Sequence, residues 1–267
     1  MPERIQTIEN KFEQLKALMT LLRHACPWDK KQTLESLRPY LIEESHEVLE
    51  AIDLAVQKNE WQALKSESGD LLLQIAFYAC IAEERGKFTF EEVIDSLVAK
   101  MIYRHPHVFG DAQPDDLLQQ WESLKDDEHQ ERHSLMDGIP PLPALAYAQK
   151  QQQRAARVGF DWSDTGDVIE KMQEELDELA FEVRNQSPAT RIEDEFGDVL
   201  FTLTNLARKL DVNAELCLMQ SNRKFDQRFR QMENLAEIRH MDLKHMDIDA
   251  LEQLYQEAKQ ELRSRDE

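Results

Sequence analysis

The acidic residues of this chain recur in a pattern able to hold a hard metal ion. A Glu-Glu-x-x-Glu run is followed by Glu-x-Gly-Asp, then Lys-x-x-x-Arg, then an aromatic residue four before a Lys, and the series occurs twice. The first copy comprises Glu43-Glu44-Ser45-His46-Glu47, Glu67-Ser68-Gly69-Asp70, Lys100 with Arg104, and Trp121 with Lys125. The second comprises Glu174-Glu175-Leu176-Asp177-Glu178, Glu195-Phe196-Gly197-Asp198, Lys224 with Arg228, and Tyr255 with Lys259. A single acidic run in so acidic a chain is a solvated helix face. Several elements recurring in the same order signal a duplicated module that reuses one site.

On a helix, residues three or four apart share a face, so Glu175 with Glu178 and Glu195 with Asp198 each present two carboxylates in one direction. Two such helices packed antiparallel would surround a cation with four acids, and Glu44, Glu47, Glu67 and Asp70 would form a weaker second site. Like charges so close destabilise a bare helix by a few tenths of a kcal/mol per pair. A bound divalent ion reverses that penalty. Oxygen ligands without Cys or His suit Mg²⁺, with Mn²⁺ as the alternative, rather than zinc. Lys224 with Arg228, and Tyr255 with Lys259, also share helical faces. They supply cations for an anionic substrate and a ring able to stack on a base.

The copies differ in charge. Four residues before the second glutamate of the run stands Lys171 in the second copy and Tyr40 in the first. One turn before Glu195 stands Arg191, and the matching place before Glu67 is Ala63. Two extra cations beside the second site favour a polyanion there, so the second copy is expected to carry most of the catalysis.

The elements that must position these residues are helices. Only seven glycines occur in 267 residues, and no alternating run rich in valine or isoleucine is long enough for a sheet. Periodicity predicts helices over about 5–23, 33–54, 61–85, 89–104, 115–131, 144–157, 164–185, 189–210, 213–238 and 249–263. His105 and His107, flanking Pro106, are expected in an extended link. Gly69 and Gly197 fall inside helices, where glycine costs roughly 1 kcal/mol relative to alanine. Their recurrence suggests close approach by another helix. The proline- and glycine-rich stretch Ser134 to Pro143 divides an N-terminal domain, residues 1–133, from a C-terminal domain, residues 144–267.

Composition restricts the partners. A formal net charge of -21 opposes binding to nucleic acid or to an anionic membrane. The longest apolar run, Leu71 to Ala82, is too short to span a bilayer and reads as a core helix. Three widely spaced cysteines, Cys26, Cys80 and Cys217, and no secretory signal point to a reduced, cytoplasmic setting. His129 and His133, four apart, lack a glutamate beside the first histidine and do not make a zinc helix.

With the acidic runs, Cys26-Pro-Trp-Asp29, Arg104-His-Pro-His-Val-Phe109, Gly159-Phe-Asp-Trp162 and Lys224-Phe-x-x-Arg-Phe229 extend over nearly the whole chain. This arrangement resembles the MazG family of nucleoside triphosphate pyrophosphohydrolases, in its two-domain bacterial type. The resemblance implies an all-α fold of two tandem helical bundles, a homodimer, dependence on Mg²⁺, and hydrolysis of NTPs or dNTPs to the monophosphate and pyrophosphate. It implies metal ligation by Glu175, Glu178, Glu195 and Asp198, with Glu174 as an orienting carboxylate or base. Lys171, Arg191, Lys224, Arg228, Tyr255 and Lys259 would then meet the nucleotide. The competing reading is a non-enzymatic acidic helical scaffold for dimerisation or recruitment, which leaves the paired cations beside the paired acids unexplained.

Overall fold

The computed structural model describes residues 5–110 and 133–266. Among the described residues every regular element is helical and no strand occurs, so the fold is all-α. The predicted helix over 115–131, and Trp121, Lys125 and His129, lie outside the described residues. Contacts divide the chain into two compact units, Met1–Glu128 and His129–Glu267.

In the first unit, α1 spans Lys11–Ala25, α2 Leu34–Lys58, α3 Trp61–Glu84, α4 Phe90–Arg104 and α5 Pro106–Phe109. The helix predicted from residue 5 is interrupted: Ile5 and Gln6 are helical, the chain then bends, and α1 begins at Lys11. The Asn10 side chain accepts hydrogen bonds from the backbone N–H groups of Phe12 and Glu13, which satisfies two otherwise orphaned donors and fixes the start at Lys11. Capping boxes at Thr33 with Ser36 and at Thr89 with Glu92 begin α2 and α4. The link around Pro106 is one short helical turn rather than extended. Proline at the first helical position loses no hydrogen bond there.

Helices α2 and α3 pack as a hairpin, turning at Asn59 in a left-handed conformation (φ 58°), and α1 packs on α3. Met19, Leu37, Phe77, Ile81 and Phe90 form the core between them. The apolar run is buried as expected, with Ala76, Phe77, Ala79 and Ile81 almost wholly shielded. Trp28 packs edge-on against Tyr40 and Phe77, at centroid distances of 5.8 and 6.4 Å. The Arg23 guanidinium bridges the Glu84 carboxylate and the backbone carbonyls of Asp29 and Gln32, tying the turn after α1 to α3.

In the second unit, α6 spans Ala144–Arg157, α7 Thr165–Arg184, α8 Ala189–Lys209, α9 Ala214–Ile238 and α10 Ile248–Asp266. Helices α7 and α8 form a hairpin, α9 and α10 another, and α6 packs on α8 and α9. Polar ties fix α6. The Gln149 side chain donates to the Val212 carbonyl and accepts from the Ala214 N–H, and Gln152 donates to the Phe201 carbonyl. Buried Arg154 donates to the carbonyls of Leu135 and Asp137, which holds the proline-rich stretch against α6. Met232, Leu235, Ala236, Leu254 and Ala258 form the core between α9 and α10.

Asp161, in the turn before α7, accepts hydrogen bonds from Arg208 and Lys209 near the end of α8. Lys209 also donates to the Trp162 carbonyl at 2.6 Å. The basic end of α8 thus anchors the Gly159–Trp162 turn, which occupies in the repeat the place of Pro27-Trp28-Asp29. The expectation for Gly69 and Gly197 fails among the described residues: a Cβ built on either meets nothing within 4 Å.

Candidate metal and nucleotide site

Helix α7 starts at Asp164, whose side chain accepts from the Asp167 N–H. Val168 is fully buried, and that register turns Glu175 inward, to 6% exposure. After the turn at Gln186, which takes the left-handed conformation (φ 52°), α8 runs back along α7 and brings Glu195 and Asp198 to it. Carboxylate oxygens of Glu175, Glu195 and Asp198 lie within 4.8 Å of one another. The equivalent oxygens of Glu44, Glu67 and Asp70 do the same in the first unit.

The fourth acid of each set stands just outside this group. Glu178 lines an adjoining open cavity of about 700 Å³ together with Glu170, Gln173, Glu174, Asp177, Phe181, Glu182 and Glu195. Glu47 is one of the neighbouring acids whose charge acts on Glu44. Glu182 is a site residue that sequence reasoning missed. It is 7% exposed, lines the cavity, and continues the face of Glu175 and Glu178 by one further turn, the signal that would have found it. The equivalent position in the first unit is Ala51.

The electrostatics call for a cation. Partial desolvation, then the charges of Glu178, Asp198, Glu175 and Glu182, hold the Glu195 carboxyl above the usual carboxylate range. Desolvation followed by Asp70, Glu47 and Glu67 does the same to Glu44. Three oxygen donors from two packed helices, their mutual repulsion only partly offset by nearby cations, fit a hard divalent ion that keeps water or phosphate oxygens in its remaining positions.

The predicted cations fall into two groups. Lys171 pairs with Glu174 at 2.8 Å and Glu175 at 2.9 Å, and both hydrogen-bonded acids raise its pKa. Arg191 pairs at 3.4 Å with Glu182, which lines the cavity. Lys224 and Arg228 lie on α9, and Tyr255 and Lys259 on α10. Among the described residues, no hydrogen bond or ion pair joins these four to the acidic set. Phe225 stands between them, 6.0 Å from the Tyr255 ring and 5.8 Å from that of Phe229.

The chain is similar along its length to known proteins. It is 40% identical over 262 residues to the nucleoside triphosphate pyrophosphohydrolase of Escherichia coli strain K12, covering 94% of this chain and 98% of that protein. It is 46% identical over 252 residues to the nucleoside triphosphate pyrophosphohydrolase/pyrophosphatase MazG of Thermotoga maritima, covering 93% and 95%. The nucleoside triphosphate pyrophosphohydrolase of Mycobacterium tuberculosis matches at 42% over 148 residues, 54% of this chain and 44% of that protein. The family model of the MazG nucleotide pyrophosphohydrolase domain matches twice, over residues 32–109 and 165–232, each time enclosing one acidic cluster. With both helical hairpins carrying the motif and relatives aligned nearly end to end, the chain belongs to the MazG nucleotide pyrophosphohydrolase family.

Proposed function

We propose that this protein hydrolyses nucleoside triphosphates, ribo or deoxy, to the monophosphate and pyrophosphate, with Mg²⁺ or Mn²⁺ held mainly in the second unit. The observation that carries the reading is the convergence of Glu175, Glu195 and Asp198 oxygens within 4.8 Å, beside an open cavity and two cations. Glu178 completes the ligand set from the cavity side. A divalent ion bound there would polarise a water and neutralise charge on the phosphates.

In the reaction so read, a water oxygen bonds to the α-phosphorus, the bond from that phosphorus to the bridging oxygen breaks, and pyrophosphate leaves. Glu174, largely exposed and one residue from the ligand Glu175, orients the water and accepts its proton. Lys171 and Arg191 hold phosphate oxygens at the cavity rim, and Lys224, Arg228 and Lys259 meet the anion from the α9–α10 hairpin. Tyr255, backed by Phe225, offers its ring to the base. No covalent nucleophile is required.

The first unit, with the same three acids but Tyr40 and Ala63 in place of the cations, serves as a weaker site comprising Glu44, Glu47, Glu67 and Asp70. The same reading takes residues 134–143 as the link between the repeats, although they pack with the second compact unit, which begins at His129. A homodimer is part of the same reading: exposed Phe196, Leu200, Phe201 and Leu203 on α8 leave an apolar surface of the kind a second copy covers. Among the described residues no helix is long and apolar enough to cross a membrane, which agrees with a cytoplasmic enzyme.

Incubating the purified protein with Mg²⁺ and dNTPs, then resolving monophosphate and pyrophosphate from diphosphate and orthophosphate, tests the proposal. Pyrophosphate is expected. Orthophosphate would indicate another phosphohydrolase, and no turnover would favour the acidic scaffold.

A further inference from the structure

Lys171 stands in a place that the reaction alone does not require. Its ammonium sits 2.9 Å from a Glu175 oxygen, and Glu175 is the most buried of the three converging acids. A second bond, 2.8 Å to Glu174, holds it there from the outer side. Both contacts lie within one helix, at i+3 and i+4, so α7 itself sets the side chains side by side. The cluster therefore carries a built-in positive charge beside its innermost carboxylate.

The first unit lacks this device. Four residues before Glu44 stands Tyr40, partly buried against the core, with its ring edge-on to Trp28. The two acidic clusters, alike in their three carboxylates, thus differ in whether an ammonium already neutralises the innermost one.

We infer that Lys171 is the resident counterion of the second acidic cluster, occupying Glu175 when no divalent ion is present and having to leave it before a divalent ion can bind. This rests on the pyrophosphohydrolase reading and adds a regulatory step to it. An ammonium and a divalent cation at one carboxylate repel each other, so their binding is mutually exclusive or strongly anticooperative. A lysine is suited to the exchange, because its charge is a compact point on a flexible stem that can turn to another anion. A triphosphate supplies that anion. Lys171 thereby lowers the affinity of the empty cluster for free metal and releases that restraint when the nucleotide arrives, which limits futile metal loading.

The test measures metal binding without turnover. Mn²⁺ is titrated into the metal-free full-length protein, the free ion being counted by electron paramagnetic resonance, for wild type, Lys171→Met, Lys171→Gln and Glu175→Gln. Removing the ammonium is expected to tighten Mn²⁺ binding at one site by about five- to tenfold, the factor for one charge-assisted contact. In EDTA, the same variants are expected to melt below wild type, a difference that saturating Mn²⁺ abolishes. A gain of less than about twofold in both lysine variants would overturn the inference. If Glu175→Gln left the number of bound Mn²⁺ unchanged, the metal-site reading itself would fall, so the two failures are distinguishable.

Discussion

Glu182 and Arg191 form an ion pair of 3.4 Å across the α7–α8 hairpin, and both partners are replaced by alanine in the first unit. Ala51 stands seven residues after Glu44, as Glu182 does after Glu175, and Ala63 stands four before Glu67, as Arg191 does before Glu195. The repeat lacks the pair as a unit, leaving neither a buried carboxylate nor a stray cation. Glu182 is buried while the Arg191 side chain is 70% exposed, so the pair ties a mostly solvated guanidinium to a carboxylate that lines the cavity. Arg191→Ala is expected to raise KM for the nucleotide by about tenfold, the loss of one charge-assisted phosphate contact. Glu182→Gln, which keeps the shape and frees the arginine, should raise KM about two- to threefold. Stability should move by less than about 1 kcal/mol in either, since one partner is in water. Steady-state kinetics beside thermal melts check this; an unchanged KM in Arg191→Ala would remove it from the substrate site.

The same asymmetry governs the two acidic clusters. Glu175→Ala removes the innermost ligand of the cluster that has the neighbouring cations, and pyrophosphate release is expected to fall at least about 100-fold. Glu44→Ala removes its counterpart and should change the rate by less than about threefold. Equal losses from the two substitutions would refute the division of labour.

The helices were legible because glycine is scarce and the caps are local: Thr33, Thr89 and Asp164 each bond a backbone donor within three residues. Glu175, Glu195 and Asp198 were legible because duplication made their spacing informative. What escaped depends on tertiary placement. Spacing puts Glu182 on the face of Glu175 and Glu178, but only the fold shows that it is buried and paired with Arg191. Periodicity places Lys171 on the face of the acids but does not say that it bonds them. Lys224, Arg228, Tyr255 and Lys259 follow the motif order, yet they stand on another hairpin, and chain order carries no distance.

The two helix glycines show the same limit and give a sharp test. Because a Cβ at Gly197 or Gly69 meets nothing within 4 Å, nothing among the described residues opposes an added methyl group. Gly197→Ala and Gly69→Ala should each stabilise the helix by about 0.5–1 kcal/mol and raise Tm by about 2–4 °C. Scanning calorimetry decides it. A lowered Tm would mean that something beyond the described residues, such as a second copy, occupies the space beside the glycine.

Asp161 gives the pH dependence its sign. Burial pushes its carboxyl upward, but hydrogen bonds and charge from Arg208 and Lys209 outweigh this, and the net shift is below the usual carboxylate range. A carboxylate depressed in the folded state contributes stability above its unfolded pKa of about 3.9 and loses it as pH falls through the lower folded value. Asp161→Asn should therefore cost about 1.5–3 kcal/mol at neutral pH, the worth of a partly buried charge-assisted pair of contacts. The deficit relative to wild type should shrink as pH drops below about 4, where wild type loses the same contribution. Denaturant unfolding of both proteins between neutral and acidic pH measures it. A deficit constant with pH would show that the side chain acts through its shape and neutral hydrogen bonds, not through its charge on the end of α8.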